Sequence, residues 1–261
     1  MMSDALKTTR NGKIFEVVLD RGKANAIDAA TSVEMGEVFA EFNSDPDLRV
    51  AILSGGGERF FSAGWDLKAA AEGEDYDAFF GVGGFGGISE MHEMTKPVIA
   101  AINGMACGGG FELALAADMM IAVDYAEFWM PEIFAGVMGD SGCFRLPKRI
   151  PRAIAMEMLL TGRRMGAEEA YSWGLINAVV PSELLMDTAR EYADMMVSAA
   201  PLSLAATKET VRLTETTTME ECYSLMKNNG LPMFDKMLAS EDAQEGPRAF
   251  AEKRDPVWKG Q

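Results

Sequence analysis

Apolar residues recur along the first two-thirds of the chain in two periods. Phe15, Val17 and Leu19 occupy every second position, as the buried face of a strand requires. Val50 to Leu53, Pro97 to Ile102 and Met119 to Val123 are short continuous apolar runs of the kind that fill a sheet covered on both faces. The first of these stops at Ser54, Gly55, Gly56 and Gly57. Met35, Val38, Phe39 and Phe42 instead follow helical spacing behind Asp28, a residue suited to capping a first turn. Glu112 to Asp118 predicts a second helix starting directly after Gly108, Gly109 and Gly110. Strand, glycine turn and helix in succession predict a mixed α/β core.

Beyond Pro151 the glycine turns thin out and helical periods dominate. Helices are predicted over 152–160, 167–173, 182–199, 202–214, 219–237 and 240–253. Such a set must bury its apolar faces against the α/β core or another subunit, and no flexible linker separates the two parts. No internal repeat of fixed period is present. The acidic, glycine-rich stretch 70–87 reads as a mobile loop that could serve as a lid. Gly81, Gly83 and Gly86 satisfy G-x-G-x-x-G there, but no strand precedes them, so a dinucleotide fingerprint is not supported.

A length of 261 residues fits one large domain, or one with an appendage. Lys and Arg number 24 against 40 Asp and Glu, a net charge of −16 that repels phosphate backbones and anionic headgroups. Nucleic acid and membrane surfaces are thereby poor partners. With His92 as the only histidine, a zinc site built on several imidazoles is excluded, and no metal is expected. Cys107, Cys143 and Cys222 show no CxxC spacing and cannot all pair. No apolar leader precedes Lys7, and the apolar stretch from Pro97 to Val123 is interrupted by Asn103, Glu112 and Asp118. The expectation is a soluble, cytoplasmic protein whose 20 methionines mostly fill its core.

Acid–base work near neutral pH then falls to carboxylates. Glu112 lies at a predicted helix start in an apolar run, and Glu132 stands between Phe128-Trp129-Met130-Pro131 and Ile133-Phe134-Ala135-Gly136. Twenty residues separate them, room for a helix, a strand and a turn that return both to one pocket. Burial would lift both pKa values toward the range of a general acid or base. A capping glutamate and a surface glutamate beside a proline are the plainer alternative. The turns at Ser62-Ala63-Gly64-Trp65 and Gly108-Gly109-Gly110 can each present a backbone N–H unobstructed by a side chain, and two converging amides make an oxyanion hole. Tight turns packed for structural reasons would look the same.

Taken together, Phe60 to Leu67, Lys96 to Gly104, Gly108 to Asp118 and Pro131-Glu132 resemble the crotonase (enoyl-CoA hydratase/isomerase) superfamily over essentially the whole chain. The resemblance implies an α/β (α+β) fold: a spiral of ββα units over 1–200, then a helical region over 201–261 that builds a trimer, often doubled to a hexamer. It implies Glu112 and Glu132 as catalytic glutamates and the N–H groups of Trp65 and Gly109 as the oxyanion hole. Lys23, Ala63, Asp66 and Lys68 become substrate-binding positions, and Phe250 and Lys253 would complete a neighbouring subunit's CoA site. No cofactor is implied, since CoA is part of the acyl-CoA substrate. Lys23 to Asp28, Phe60 to Gly73, Thr161 to Ala170 and Phe250 to Gly260 further resemble the branch acting on carnitine-derived thioesters. That branch implies reversible dehydration of L-carnitinyl-CoA, against the alternative of a general short-chain enoyl-CoA hydratase or isomerase. A silent subunit or RNA-binding module is disfavoured by the charge and the glutamate pair.

Two departures from the common pattern carry information. Met105 stands where many relatives have an aromatic residue, and Gly139-Asp140-Ser141-Gly142 replaces a proline-glycine-glycine loop. Asp140 thereby adds a carboxylate after Glu132, and with the indole of Trp65 or Trp129 it would suit a trimethylammonium group.

Overall fold

The structure is a computed structural model describing residues 5–261. It opens with the antiparallel strands β1 (Leu6–Asn11) and β2 (Ile14–Leu19), followed by the two-residue β3 (Ala26–Ile27) and helix α1 (Ala29–Ser44). β4 (Val50–Gly55), β5 (Phe60–Ser62), β6 (Gly64–Trp65) and the single-turn α2 (Leu67–Ala71) form the next unit. β7 (Val98–Ile102), β8 (Met105–Cys107) and α3 (Gly109–Ala116) form the third, and β9 (Met119–Val123), β10 (Glu127–Trp129) and α4 (Asp140–Arg149) the fourth. Then come α5 (Arg152–Thr161), β11 (Arg164–Gly166), α6 (Ala167–Ser172), β12 (Ala178–Val180), α7 (Leu185–Val197), α8 (Pro201–Thr214), α9 (Met219–Lys227), α10 (Pro232–Leu238) and α11 (Glu241–Glu252).

Each apolar run of the sequence feeds one large sheet, ordered β1-β2-β4-β7-β9-β12 and parallel from β2 onward. The short strands after β4, β7 and β9 cross to a second sheet, ordered β11-β10-β8-β5, while β3 pairs with β6. This is why every residue of β4 and β7 is buried: helices cover one face and the second layer the other. A ββα unit therefore repeats in space although no sequence period announces it, because loops of unequal length separate the units. The helix predicted behind Asp28 forms, with the Asp28 carboxylate accepting from Thr31 N–H at 2.8 Å and Met35, Val38, Phe39 and Phe42 all in the core.

Helix α7 lies across β2, β4, β7 and β9, pinned by a two-pronged contact from Arg190 to Glu16 at 2.8 and 3.0 Å. α8 buries Leu202, Ala205 and Ala206, and its Lys208 reaches Asp118 at 2.8 Å and the Lys96 carbonyl at 2.9 Å. The last helices thus begin by docking on the core. The single helix predicted over 219–237 is instead two, α9 and α10, broken at Gly230 and restarted by Pro232 at the first helical position. The chain end folds back, with Lys259 and Gly260 N–H groups donating to the two oxygens of Asp242 at 2.8 Å each.

Asn25 ties the first layer to the second. It is fully buried in a left-handed conformation, φ +49°. Its side-chain amide donates to the carbonyls of Gly56 at 2.9 Å and Phe60 at 3.0 Å, while Ser62 Oγ donates to the Asn25 carbonyl at 2.7 Å.

The stretch 70–87, expected to be loose, has anchors along its length. Gly86 N–H donates to Ser32 Oγ at 3.1 Å, Phe80 and Phe85 pack edge to face, and Gly81 and Gly87 lie against α1. Its glycines from Gly81 onward are packing glycines: a Cβ on Gly87 would meet Gly36 N at 2.5 Å.

Candidate active site

Two helix N-termini and two tight turns converge where the sequence places its unusual carboxylates. The first turn of a helix leaves its amides without intrahelical acceptors. At α3 these include Gly109 N–H, presented behind Gly108 at φ +54°. The turn Ala63-Gly64-Trp65 abuts this helix start directly: a Cβ on Gly64, itself at φ +82°, would lie 2.6 Å from Gly109 N. Only glycine allows that approach, so the turn leading into Trp65 packs directly on the start of α3. The ring of Phe85 rests on the same glycine, 2.5 Å from where a Gly109 Cβ would stand.

Glu112 sits one turn into α3, 7% exposed, and Glu132 opens a short 3-10 turn after Pro131. The structure brings them together around Gly139, whose Cβ would lie 3.4 Å from Glu112 Oε1 and 3.7 Å from Glu132 Cδ. The Gly139–Gly142 segment is not a loop but the start of α4, a helix that the sequence reading missed. Its first turn supplies the partner that Glu112 needs: Gly142 N–H donates to Glu112 Oε1 at 2.7 Å. Met130 Cε packs against both Gly139 and Gly142, which explains the absence of side chains there. Glu132 Oε1, in contrast, is buried with no hydrogen-bond partner.

Burial pushes the Glu112 pKa up to about 7, reinforced by the negative charge of Glu132 and Asp140 and opposed by the Gly142 amide and the Arg145 guanidinium. Burial, then Asp140, raises Glu132 as well. Glu112 is therefore poised between acid and base near neutral pH, and Glu132 is shifted in the same direction. Arg145 stands on α4, donating from Nη2 to Ser89 O at 2.7 Å while its buried Nε has no partner.

The remaining expected residues divide. Asp140 is the first residue of α4 and bears electrostatically on both glutamates. Lys23 lines a cleft of about 500 Å³ with Asp20, Ala24, Arg59 and Phe60. Lys68 is exposed on α2, and Ala63 N–H is bonded to Ala24 O at 2.9 Å. Asp66 is occupied structurally: it accepts from Lys68 N–H as the cap of α2 and pairs with Arg21 at 2.6 Å. Trp129 already carries a cation on one face, with the Arg164 guanidinium 4.4 Å above its ring. Phe250, 87% exposed, and Lys253 belong to the outer end of α11. Tyr76, Met130 and Arg145 carry no role in the sequence reading; a lone tyrosine in an acidic stretch is the one signal for Tyr76. No group of side chains suited to a metal ion and no helix long and apolar enough to cross a membrane occurs among the described residues.

Residues 9–261 match the family described as enoyl-CoA hydratase/isomerase. The chain is 60% identical to the carnitinyl-CoA dehydratases of Citrobacter koseri and Proteus mirabilis, each aligned over 99% of this chain and 100% of the relative. Among solved structures, an enoyl-CoA hydratase from Mycobacterium tuberculosis superposes with a TM-score of 0.90 at 36% identity, covering 99% of this chain and 100% of that one. A carnitinyl-CoA hydratase from Mycobacterium avium gives 0.76 at 38% identity, with coverage of 99% and 100%.

Proposed function

The chain belongs to the enoyl-CoA hydratase/isomerase family, and on that premise we propose that it is a hydro-lyase interconverting L-carnitinyl-CoA with crotonobetainyl-CoA and water. The observation that carries this reading is the convergence of Glu112 and Glu132 around Gly139, beside the paired turns of Trp65 and Gly109. Whole-length similarity to carnitinyl-CoA dehydratases supports the choice of acyl group.

In the hydration direction, water adds across the Cα–Cβ bond of the enoyl thioester. Attack at Cβ drives an electron pair onto the thioester oxygen, where the amides of Trp65 and Gly109 act as fixed dipoles. One glutamate takes the proton from water and the other delivers a proton to Cα. Dehydration reverses each transfer. Two carboxylates with raised pKa values suit both directions, because each must hold a proton in one half of the reaction and lack it in the other. CoA serves as the substrate's handle, its distant contacts positioning the reacting carbons. The step as written calls on no metal or redox cofactor.

Residues 201–261 serve as the assembly region of a trimer or of two stacked trimers, bringing Phe250 and Lys253 to a neighbour's CoA. The three unpaired thiols, Cys107, Cys143 and Cys222, suit a reducing cytoplasm. Loss of the enoyl-thioester ultraviolet absorbance on mixing enzyme with crotonobetainyl-CoA, run beside crotonyl-CoA, tests the assignment. A higher kcat/KM for the betaine thioester is expected. Equal values would leave a general short-chain hydratase.

A further inference from the structure

Glu112, Glu132 and Asp140 crowd one end of the site with negative charge, and the segment after α2 closes that end with aromatic rings. Tyr76 packs edge to face on Trp65 with centroids 5.6 Å apart. Its hydroxyl donates to Met138 O at 2.7 Å, two residues before Asp140, and the Asp140 carboxylate neighbours the same hydroxyl. Trp65 is held in turn by Glu74, which accepts from its Nε1 at 2.7 Å and from Ala29 N–H at 3.0 Å. A two-ring corner results, one side on the turn bearing the Trp65 amide and the other on the start of α4. Burial and then the charges of Asp140, Glu112 and Glu132 push ionisation of the phenol upward, so the ring stays neutral among three carboxylates. The cation whose charge reaches Glu112 is Arg145, engaged with Ser89 O.

A neutral acyl chain leaves that negative field uncompensated. A quaternary ammonium on the γ carbon would compensate it. Its nitrogen lies four bonds, about 5 Å, from the thioester carbonyl carbon, and two bonds beyond the carbon that takes up water. Such a group has no N–H to donate, so it is held by aromatic rings and by carboxylate charge without directional bonds. The Tyr76–Asp140 corner offers both.

We propose that Tyr76, with Asp140 at its edge, is the specificity element of the acyl pocket, holding a quaternary ammonium group so that cationic 2-enoyl thioesters are selected over neutral ones. This rests on the acyl-CoA hydratase reading above. It assigns selection chiefly to Tyr76, whose hydroxyl donates to the Met138 carbonyl and to neither catalytic glutamate.

The test compares crotonobetainyl-CoA with its neutral isostere, in which tert-butyl replaces trimethylammonium, on the full-length parent, Tyr76→Leu, Tyr76→Phe and Asp140→Asn. Shape is then constant and only charge varies. The ratio of kcat/KM, cationic over neutral, is expected to fall about tenfold in Tyr76→Leu and Asp140→Asn and to stay within about twofold of the parent in Tyr76→Phe, which keeps the ring. Equal losses on both thioesters in Tyr76→Leu, with circular dichroism unchanged, would make Tyr76 a wall and overturn the proposal. A parent that prefers the cation while Tyr76→Leu keeps that preference sinks the Tyr76 assignment alone. A parent with no preference sinks the carnitine reading together with it.

Discussion

Gly142 and Glu112 are joined by a 2.7 Å hydrogen bond from the first turn of α4 to a carboxylate on α3. Glu132, across Gly139, has a buried oxygen with no such partner. The two glutamates are thus chemically unequal before any substrate arrives. One is steadied by a helix N-terminus, and the other has an oxygen left for water or a substrate hydroxyl.

Removing either proton-transfer group should cripple turnover without unfolding the chain. Glu112→Gln and Glu132→Gln are each expected to lower kcat by about 10² or more. The glutamine oxygen at position 112 can still accept from Gly142, so the circular dichroism spectrum should match the parent's. Normal turnover in a folded variant would strike that residue from the mechanism.

Stability should carry the imprint of Glu112. Its carboxyl titrates near 7 in the native state against an ordinary value of 4.5, so between those pH values the native chain keeps a proton that the unfolded chain has released. Its stabilising share is complete below pH 4.5 and is lost as pH rises through about 7, by up to about 3 kcal/mol. Glu112→Gln has no such proton to lose. Denaturant unfolding at pH 5 and pH 8, values bracketing the native pKa, should show the parent weakening relative to the variant as pH rises. Parallel pH dependences would contradict the raised pKa.

The junction of Gly64 and Gly109 should tolerate no side chain. Gly64→Ala places a Cβ 2.6 Å from Gly109 N at a φ that alanine resists, and Gly109→Val drives into the Phe85 ring. Both are expected to abolish hydration, a loss of several kcal/mol in transition-state stabilisation. Activity of Gly109→Val within about tenfold of the parent, a change worth under 1.4 kcal/mol, would place the oxyanion elsewhere.

Assembly should depend on the exposed end of α11. Phe250→Asp is expected to shift the light-scattering mass from a trimer or hexamer toward smaller species and to raise KM for the thioester. A parent that stays monomeric and fully active when dilute would defeat the assembly proposal.

The sequence was legible wherever one period decided the outcome. The runs at Val50, Val98 and Met119 are strands of the large sheet, and the glycines before Glu112 do open a helix. Strands of two or three residues, such as β3, β5 and β6, carry too few positions to show alternation, so the second layer stayed hidden. α4 was missed because a glycine and a proline interrupt it, Gly142 in the first turn and Pro147 further along. Glu112 and Glu132 stood out as charges in apolar surroundings, the signature of a burial cost that a fold must offset. Tyr76 could not stand out: its partners Trp65 and Met138 lie 11 and 62 residues away, and only folding brings them together.

Asn25 makes one side-chain amide a point on which the turn bearing Trp65 depends. Its amide holds the carbonyls of Gly56 and Phe60 just upstream of that turn. In Asn25→Asp a double donor becomes an anion facing two carbonyl dipoles, shielded from bulk solvent. Such a variant would lose its oxyanion turn while Glu112 and Glu132 stayed chemically intact.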